Sequence, residues 1–294
     1  MKSRYDPEWL DAQYNNRARV AEYAQVIAGW AEASALARQQ SAAHLDIAYG
    51  NDESERLDVF PATQAQSGAS QGDGGVPVLV FIHGGYWRSL SKAHHSFIAP
   101  SFNADGAMVV VPGYALCPTV GIEQIVLQMA AAVAWVWRNA ARFGGDPNRI
   151  ALAGHSAGGH VAAMLLSCRW REFAEDLPAQ PLAGALSISG LYDLEPLRHT
   201  PFLQTDLRLT PASVARLSPA FFPRPKAGKL QAVVGLNESD EFLRQNRLIR
   251  DVWGPTAVPV CETLPNCNHF TVLRNLADPA GRLHDLALRL LGLR

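Results

Sequence analysis

Gly154-His155-Ser156-Ala157-Gly158 places a serine between two glycines, where an apolar run rich in Ile, Leu and Ala gives way to a helix-like one. A serine there can attack a carbonyl if a base lies within hydrogen-bond reach and donors hold the oxyanion that forms. In a G-x-S-x-G turn from strand to helix, the glycines remove side chains that would clash and the helix N-terminus points at the serine. The motif alone also fits a plain small-residue turn. A second signal favours chemistry: His83-Gly84-Gly85-Tyr86-Trp87 follows the apolar residues 78–82 and matches an HGG-type loop whose backbone N–H groups build an oxyanion hole. Gly84 or Gly85, with Ala157, are the expected donors, and losing one such donor typically costs about 2.7–4 kcal/mol of transition-state stabilisation. The predicted chemistry is acyl transfer through Ser156.

Nine histidines are available as the base, and chain order selects among them, because an elbow serine of this kind is followed by its acid and then its histidine. His160, His199, His269 and His284 follow Ser156. His160 falls on the helix after the elbow, His199 in a Pro-rich stretch and His284 on the polar side of the last helix. His269, in LPNCNHFTVL, occupies the loop between the last strand and the last helix and is the expected base. The acid is sought in GLNESDEFLRQN, after the strand at 230–235. Asp240 and Glu241 meet the dipole of the helix they begin, which already explains them. Glu238 lies in the loop and is the expected acid, with Asp240 next and Asp193, at the end of the preceding strand, weaker.

These loops meet only if strands and helices alternate around one sheet. From residue 78 they do: strand 78–82, helix 92–103, strand 107–111, helix 122–143 and strand 150–152 precede the serine. The strands LAGALSIS, KLQAVVG and VPVCETL and a final amphipathic helix follow it. Such alternation implies right-handed crossovers and a mostly parallel central sheet flanked by helices. HLDIAYG and RLDVF read as two earlier strands, and residues 61–77 as a mobile polar Gly/Ser-rich loop. Asp6-Pro7 signals a helix start, and Val20, Tyr23, Ala24, Ile27, Trp30 and Ala31 predict a second helix over 20–38 with one packed face. Thr210-Pro211 and Ser218-Pro219 repeat the cap-plus-proline signature and predict short helices inserted as a cap. The expected organisation is one domain over 1–294, with an N-terminal helical segment at 1–40 and the cap at about 194–226.

Composition narrows the function. Lys+Arg at 26 nearly balance Asp+Glu at 27 and no basic run occurs, which argues against a nucleic-acid partner. The longest apolar run, 129–137, is about half of the roughly 20 residues that span a bilayer, and the N-terminal stretch lacks a signal-peptide apolar region. A cytoplasmic protein without a membrane partner is expected; exposed apolar helices would be compatible with a homodimer. Cys117, Cys168, Cys261 and Cys267 show no C-x-x-C spacing and read as buried thiols. His94-His95 and the pair His155 and His160 lack zinc-ligand patterns, so no metal is expected.

Together these residues resemble the α/β-hydrolase superfamily and, more closely, its kynurenine formamidase-like (arylformamidase-like) branch near the hormone-sensitive-lipase-type esterases. The resemblance runs from about His44 to the C-terminus. His83-Gly84-Gly85-Tyr86-Trp87 matches the branch's HGG-x-W motif, and Gly154-His155-Ser156-Ala157-Gly158 its elbow. Glu238-Ser239-x-Glu241-Phe242-x-x-Gln245 matches its acid segment, and His269-Phe270 its histidine. Formamidases of this type often carry Asp where this chain has Glu238, and Glu can hold a histidine equally well in this fold. The resemblance implies an α/β-hydrolase fold with a small helical cap and a cofactor-free serine hydrolase with a small-molecule ester or amide substrate. N-formyl or N-acyl anilides lead, and short-chain carboxyl esters are the alternative. A non-catalytic binding module is disfavoured because Ser156, Glu238 and His269 are all present. Tyr86 and Trp87 read either as an aromatic wall for an aryl leaving group or as core packing, and Tyr114 is a weaker pocket candidate.

Overall fold

The computed structural model describes residues 5–63 and 75–294, so the Gly/Ser-rich centre of the loop read at 61–77 lies outside the described residues. The strands are β1 (His44–Ala48), β2 (Arg56–Phe60), β3 (Val76–Ile82), β4 (Met108–Pro112), β5 (Gly145–His155), β6 (Leu182–Ile188), β7 (Lys229–Gly235) and β8 (Val260–Leu264). They form one sheet in the order β1-β2-β4-β3-β5-β6-β7-β8. The β1/β2 and β2/β4 pairs are antiparallel and the other five are parallel. The register sets Ile82 beside Gly154, Gly154 beside Ser187 and Gly235 beside Leu264. The loops after β3, β5, β6, β7 and β8 therefore leave one edge of the sheet together.

The inner strands are apolar throughout because helices cover both faces, and their alternate side chains divide between two cores. Val78, Val80 and Ile82 point into one core, with residues of the helices Ile122–Asn139, Ala157–Leu166 and Asp240–Ala257. Leu79 and Phe81 point into the other, with residues of Arg282–Leu291.

Several elements depart from expectation. The helix expected at 92–103 is two 3-10 turns, Lys92–His94 and Ser96–Ile98, followed by Ala99–Ala104. Pro100 stands in the first turn of that last helix, where its missing N–H is harmless; further along a continuous helix it would remove a bond. β5 begins at Gly145, well before 150, because Gly145 pairs with Val76 despite the turn-like residues that follow. The helix expected over 20–38 runs from Tyr23 to Gln40, and a separate single-turn helix, Asn16–Arg19, precedes it. Its buried stripe is Val26, Trp30, Ser34 and Ala37, with Ala24 exposed; the polar Ser34 is accommodated because its hydroxyl accepts the Phe97 N–H at 3.2 Å. His284 is fully buried rather than on a polar face, stacked on Phe102 at 4.1 Å and paired with Asp105 at 2.6 Å. All four cysteines are free, but only Cys117 is buried.

Other signals hold. Asp6 accepts the Trp9 N–H at 2.9 Å and starts Pro7–Tyr14. Residues 194–226 contain the short helices Glu195–Arg198, Pro201–Leu207 and Pro211–Leu217 and a 3-10 turn, Pro219–Phe221. Thr210 caps Pro211–Leu217 through a reciprocal pair with Ser213. Ser218 instead accepts the Leu194 N–H at 3.0 Å, which ties the start of the segment to its end. No helix among the described residues is long and apolar enough to cross a membrane.

Candidate active site

Ser156 occupies the single residue between β5 and Ala157–Leu166, at φ 55° and ψ −116°, a left-handed conformation that L residues adopt only under constraint. The constraint is close packing. A Cβ at Gly158 would lie 2.0 Å from the Ile82 carbonyl oxygen, and one at Gly154 would lie 2.2 Å from that of Gly158. The Ser156 N–H donates to the Ile188 carbonyl at 2.7 Å, locking the turn to β6.

The loop after β3 lies against this turn. A Cβ at Gly84 would come within 2.8 Å of the His155 carbonyl oxygen and 3.1 Å of Ser156 Cβ, so only glycine lets the loop backbone approach the serine so closely. Ala157 is the first residue of its helix, where an N–H has no intrahelical acceptor. The structure thus brings Gly84, Gly85 and Ala157 to Ser156, with Gly85 and Ser156 on one cavity wall. Behind the loop, His83 Nδ1–H donates to the Gly84 carbonyl at 2.8 Å and burial pushes the ring's pKa down to about 4, so it remains neutral.

His269 and Glu238 meet as expected. His269 Nδ1 lies 2.6 Å from Glu238 Oε2, and both side chains are buried. The other oxygen, Oε1, accepts from the Ser189 hydroxyl at 2.5 Å and from the Gly235 N–H at 2.8 Å. Ser189, at the end of β6 with φ 52°, escapes sequence reasoning, because a lone serine after an apolar strand carries no spacing signal. The His269 ring packs against Phe242 at 4.6 Å and His155 at 4.7 Å, and His155 Nε2–H donates to the His269 carbonyl at 2.8 Å.

The other acid candidates serve elsewhere. Asp240 is exposed in the first turn of its helix. Asp193 faces Arg244 at 3.5 Å and accepts the Glu195 N–H. Glu241 does more than meet a helix dipole: it accepts from the Tyr14 hydroxyl at 2.6 Å and from Arg244 at 2.7 Å. Gln245 accepts the Tyr192 and Asp193 N–H groups and donates to the Asp193 carbonyl, fixing the loop after β6. The spacing of Glu238, Glu241 and Gln245 thus joins three separate jobs on one loop and helix.

Ser156 and His269 share a cavity of about 180 Å³ whose aromatic walls are Tyr23, Tyr86, Phe202 and Phe270. Two pocket expectations are corrected. Trp87 is fully buried in the core, edge-on to His160 at 5.0 Å, and does not line the cavity. Tyr114 is buried as well; it stacks on His83 at 4.1 Å and donates to the His83 carbonyl at 2.8 Å, supporting the loop from behind. Of the three, Tyr86 alone reaches the cavity, its hydroxyl donating to the Tyr14 carbonyl at 2.6 Å.

Residues 79–245 match the model of a family described by its α/β-hydrolase fold. The kynurenine formamidase of Danio rerio is 31% identical over 263 residues, 87% of this chain and 84% of that protein. That of Salmo salar is 31% identical over 268 residues, 89% of this chain and 86% of that protein. A provisionally assigned thioesterase from a Silicibacter species, known from its crystal structure, superposes with a TM-score of 0.79 at 30% identity, covering 93% of this chain and 97% of its own. An esterase of Pyrobaculum calidifontis, at 18% identity, shares the fold with a TM-score of 0.69 over 94% of this chain and 96% of its own. The chain belongs to the α/β-hydrolase family, in its kynurenine formamidase-like branch beside the hormone-sensitive-lipase-type esterases. Its chemistry is hydrolysis.

Proposed function

We propose that the protein is a serine hydrolase with a Ser156-His269-Glu238 triad that cleaves small aryl amides and esters, N-formyl and N-acyl anilides first among them. The observation that carries this reading is the 2.6 Å contact between Glu238 and His269, with His269 sharing a cavity with the strained Ser156. Glu238 holds Nδ1–H, so that Nε2 is free to take the proton of the serine hydroxyl. Ser156 Oγ attacks the carbonyl, and the backbone N–H groups of Gly84 or Gly85 and of Ala157 hold the oxyanion. His269 returns the proton to the departing amine or alcohol. Water, deprotonated by the same imidazole, then releases the acyl group.

The aryl preference rests on the four aromatic walls and the modest volume, about 180 Å³, which suit one ring and a short acyl group. The N-terminal segment supplies Tyr23 and the segment at 194–226 supplies Phe202, so both segments shape the pocket. The formamidase relatives match nearly the full chain, which favours an anilide over a simple ester.

The test compares wild type with Ser156→Ala on N-formylkynurenine, an N-acetyl anilide and p-nitrophenyl acetate, by kcat/KM. Amide turnover approaching ester turnover, abolished in the variant, is expected. Serine-dependent ester cleavage with negligible amide cleavage would make the protein a carboxylesterase, and a variant as active as wild type would overturn the triad.

A further inference from the structure

Strand alternation puts Ala151, Ala153 and His155 of β5 on one face of the sheet, where the two alanines join the core that holds Leu79 and Phe81. His155 ends that row. It is only 3% exposed, with the Trp30 ring edge-on at 6.3 Å and the His269 ring at 4.7 Å. An apolar side chain would suit such a layer, yet the sequence places an imidazole there.

The imidazole is held at a cost. Its Nδ1 has no hydrogen-bond partner among the described residues, and an unpaired buried acceptor is destabilising. Nε2 meets the His269 carbonyl at 2.8 Å. A carbonyl only accepts, so Nε2 carries the proton, and burial keeps Nδ1 from taking a second one. Neutrality matters to His269, because a cation 4.7 Å away would oppose the imidazolium that forms when it takes the serine proton.

The bond also has a particular place in the site. The loop carrying His269 is tied to the end of β7, where the Cys267 carbonyl accepts the Asn237 N–H at 3.0 Å, and to the N-terminal segment, where Asn268 donates to Glu22 at 3.3 Å. Glu238 orients the imidazole through Nδ1. Among the described residues, the hydrogen bond from His155 is the one that joins this loop to the turn bearing Ser156.

We propose that His155 is a positioning residue for the base: its neutral Nε2–H clamps the His269 loop to the serine's own turn, so that imidazole and hydroxyl keep one separation through both halves of the reaction. This rests on the hydrolase reading above and adds a residue to its machinery. His155 acts through His269 and does not touch the substrate.

The experiment compares wild type with His155→Gln and His155→Met, two side chains of similar length of which only Gln ends in an N–H donor. On p-nitrophenyl acetate, kcat and kcat/KM should fall together in His155→Met, about 10- to 100-fold, with KM little changed. Misplacing a reacting group by an ångström can cost about that much, and His269 serves acylation and deacylation alike. His155→Gln should recover most of the loss. A role in packing alone gives the opposite order, since an amide is harder to bury than a thioether. A Met variant with wild-type kcat, or a Gln variant no better than Met, would overturn the clamp.

Nuclear magnetic resonance separates this proposal from the one beneath it, because it needs no turnover. The His269 Nδ1–H, held by Glu238 at 2.6 Å, should give a far-downfield proton signal that His155→Gln retains and His155→Met shifts or broadens. If wild type cleaves no ester, the hydrolase reading fails, while that contrast would still uphold His155 as the residue that places His269. Identical signals in the two variants would overturn it. Two-bond proton–nitrogen correlation of the wild type reads the tautomer directly and needs no variant to fold: a proton on His155 Nε2 is expected, and one on Nδ1 would overturn the proposal.

Discussion

Glu238 shows how much of this site depends on a single side chain. One oxygen faces His269 at 2.6 Å, and the other is occupied by Ser189 and the Gly235 N–H. An amide in place of the carboxylate keeps the shape but loses the charge, and it can turn an NH₂ group toward Nδ1 and so favour the wrong imidazole tautomer. Glu238→Gln should therefore lower kcat by up to about 10⁴ while the fold persists; a kcat within a few-fold of wild type, with an unchanged circular dichroism spectrum, would remove Glu238 from the triad. The placement of Ser156, His269 and Glu238 at neighbouring strand ends is legible because each is tied to such an end at a known place in chain order. Ser189 is not, since nothing in its spacing marks it. Tyr114 and His284 misled, and Trp87 stayed open between wall and core, for a related reason: a sequence gives the position of a side chain along an element, but its direction is decided by packing partners distant in the chain.

At the scale of elements, the strand and helix alternation was readable because buried parallel strands and amphipathic helices carry distinct periods. The irregular stretch at 92–103 and the early start of β5 were not, because both depend on neighbours, the proline-led helix in one case and the pairing of Gly145 with Val76 in the other. The docking of the N-terminal helix is equally non-local. Tyr14, at the end of Pro7–Tyr14, is fully buried and donates to Glu241 at 2.6 Å across 227 residues of chain. Burial and the neighbouring Glu241 carboxylate raise its pKa, so the phenol remains a donor. The next residues, Asn15, Asn16 and Arg17, line the cavity, so this contact sets where the wall stands. Tyr14→Phe removes the donor and leaves the Glu241 carboxylate to Arg244 alone, a loss of about 1.5–3 kcal/mol by the usual worth of a charge-assisted bond. The expected result is a lower melting temperature together with a KM raised more than kcat is reduced. A variant with unaltered KM would show that the wall is held by other contacts.

Over the whole molecule, the unusual electrostatic feature is a set of histidines sealed in the interior. His83, His95, His155 and His160 are all nearly or fully inaccessible, and each has a ring nitrogen with no hydrogen-bond partner among the described residues. Burial, the leading cause in every case, holds His83 and His160 down to about 4 and His95 to about 3, and it holds His155 well below its ordinary value. His83 and His95 stack at 5.6 Å, and each would repel the other if charged. The sign follows directly. Above about pH 6.5 neither the native nor the unfolded chain protonates these rings, so stability is complete there. As pH falls below that value the unfolded chain takes up protons that the native state refuses, and stability is lost progressively down to the native-state values, about 4 for His83 and His160 and about 3 for His95. Each ring contributes a slope of up to about 1.4 kcal/mol per pH unit. Carboxylates lowered by partners, such as Asp46 beside Lys92, add their losses as pH falls through the ordinary carboxylate range, so the upper part of the fall, between about pH 6.5 and 4.5, belongs chiefly to the histidines. Urea midpoints should accordingly fall steeply between pH 6.5 and 4.5, and His95→Gln should flatten that dependence by about one proton even if it also lowers stability at pH 8. Midpoints that stay level across this window in wild type would mean that the interior admits these protons.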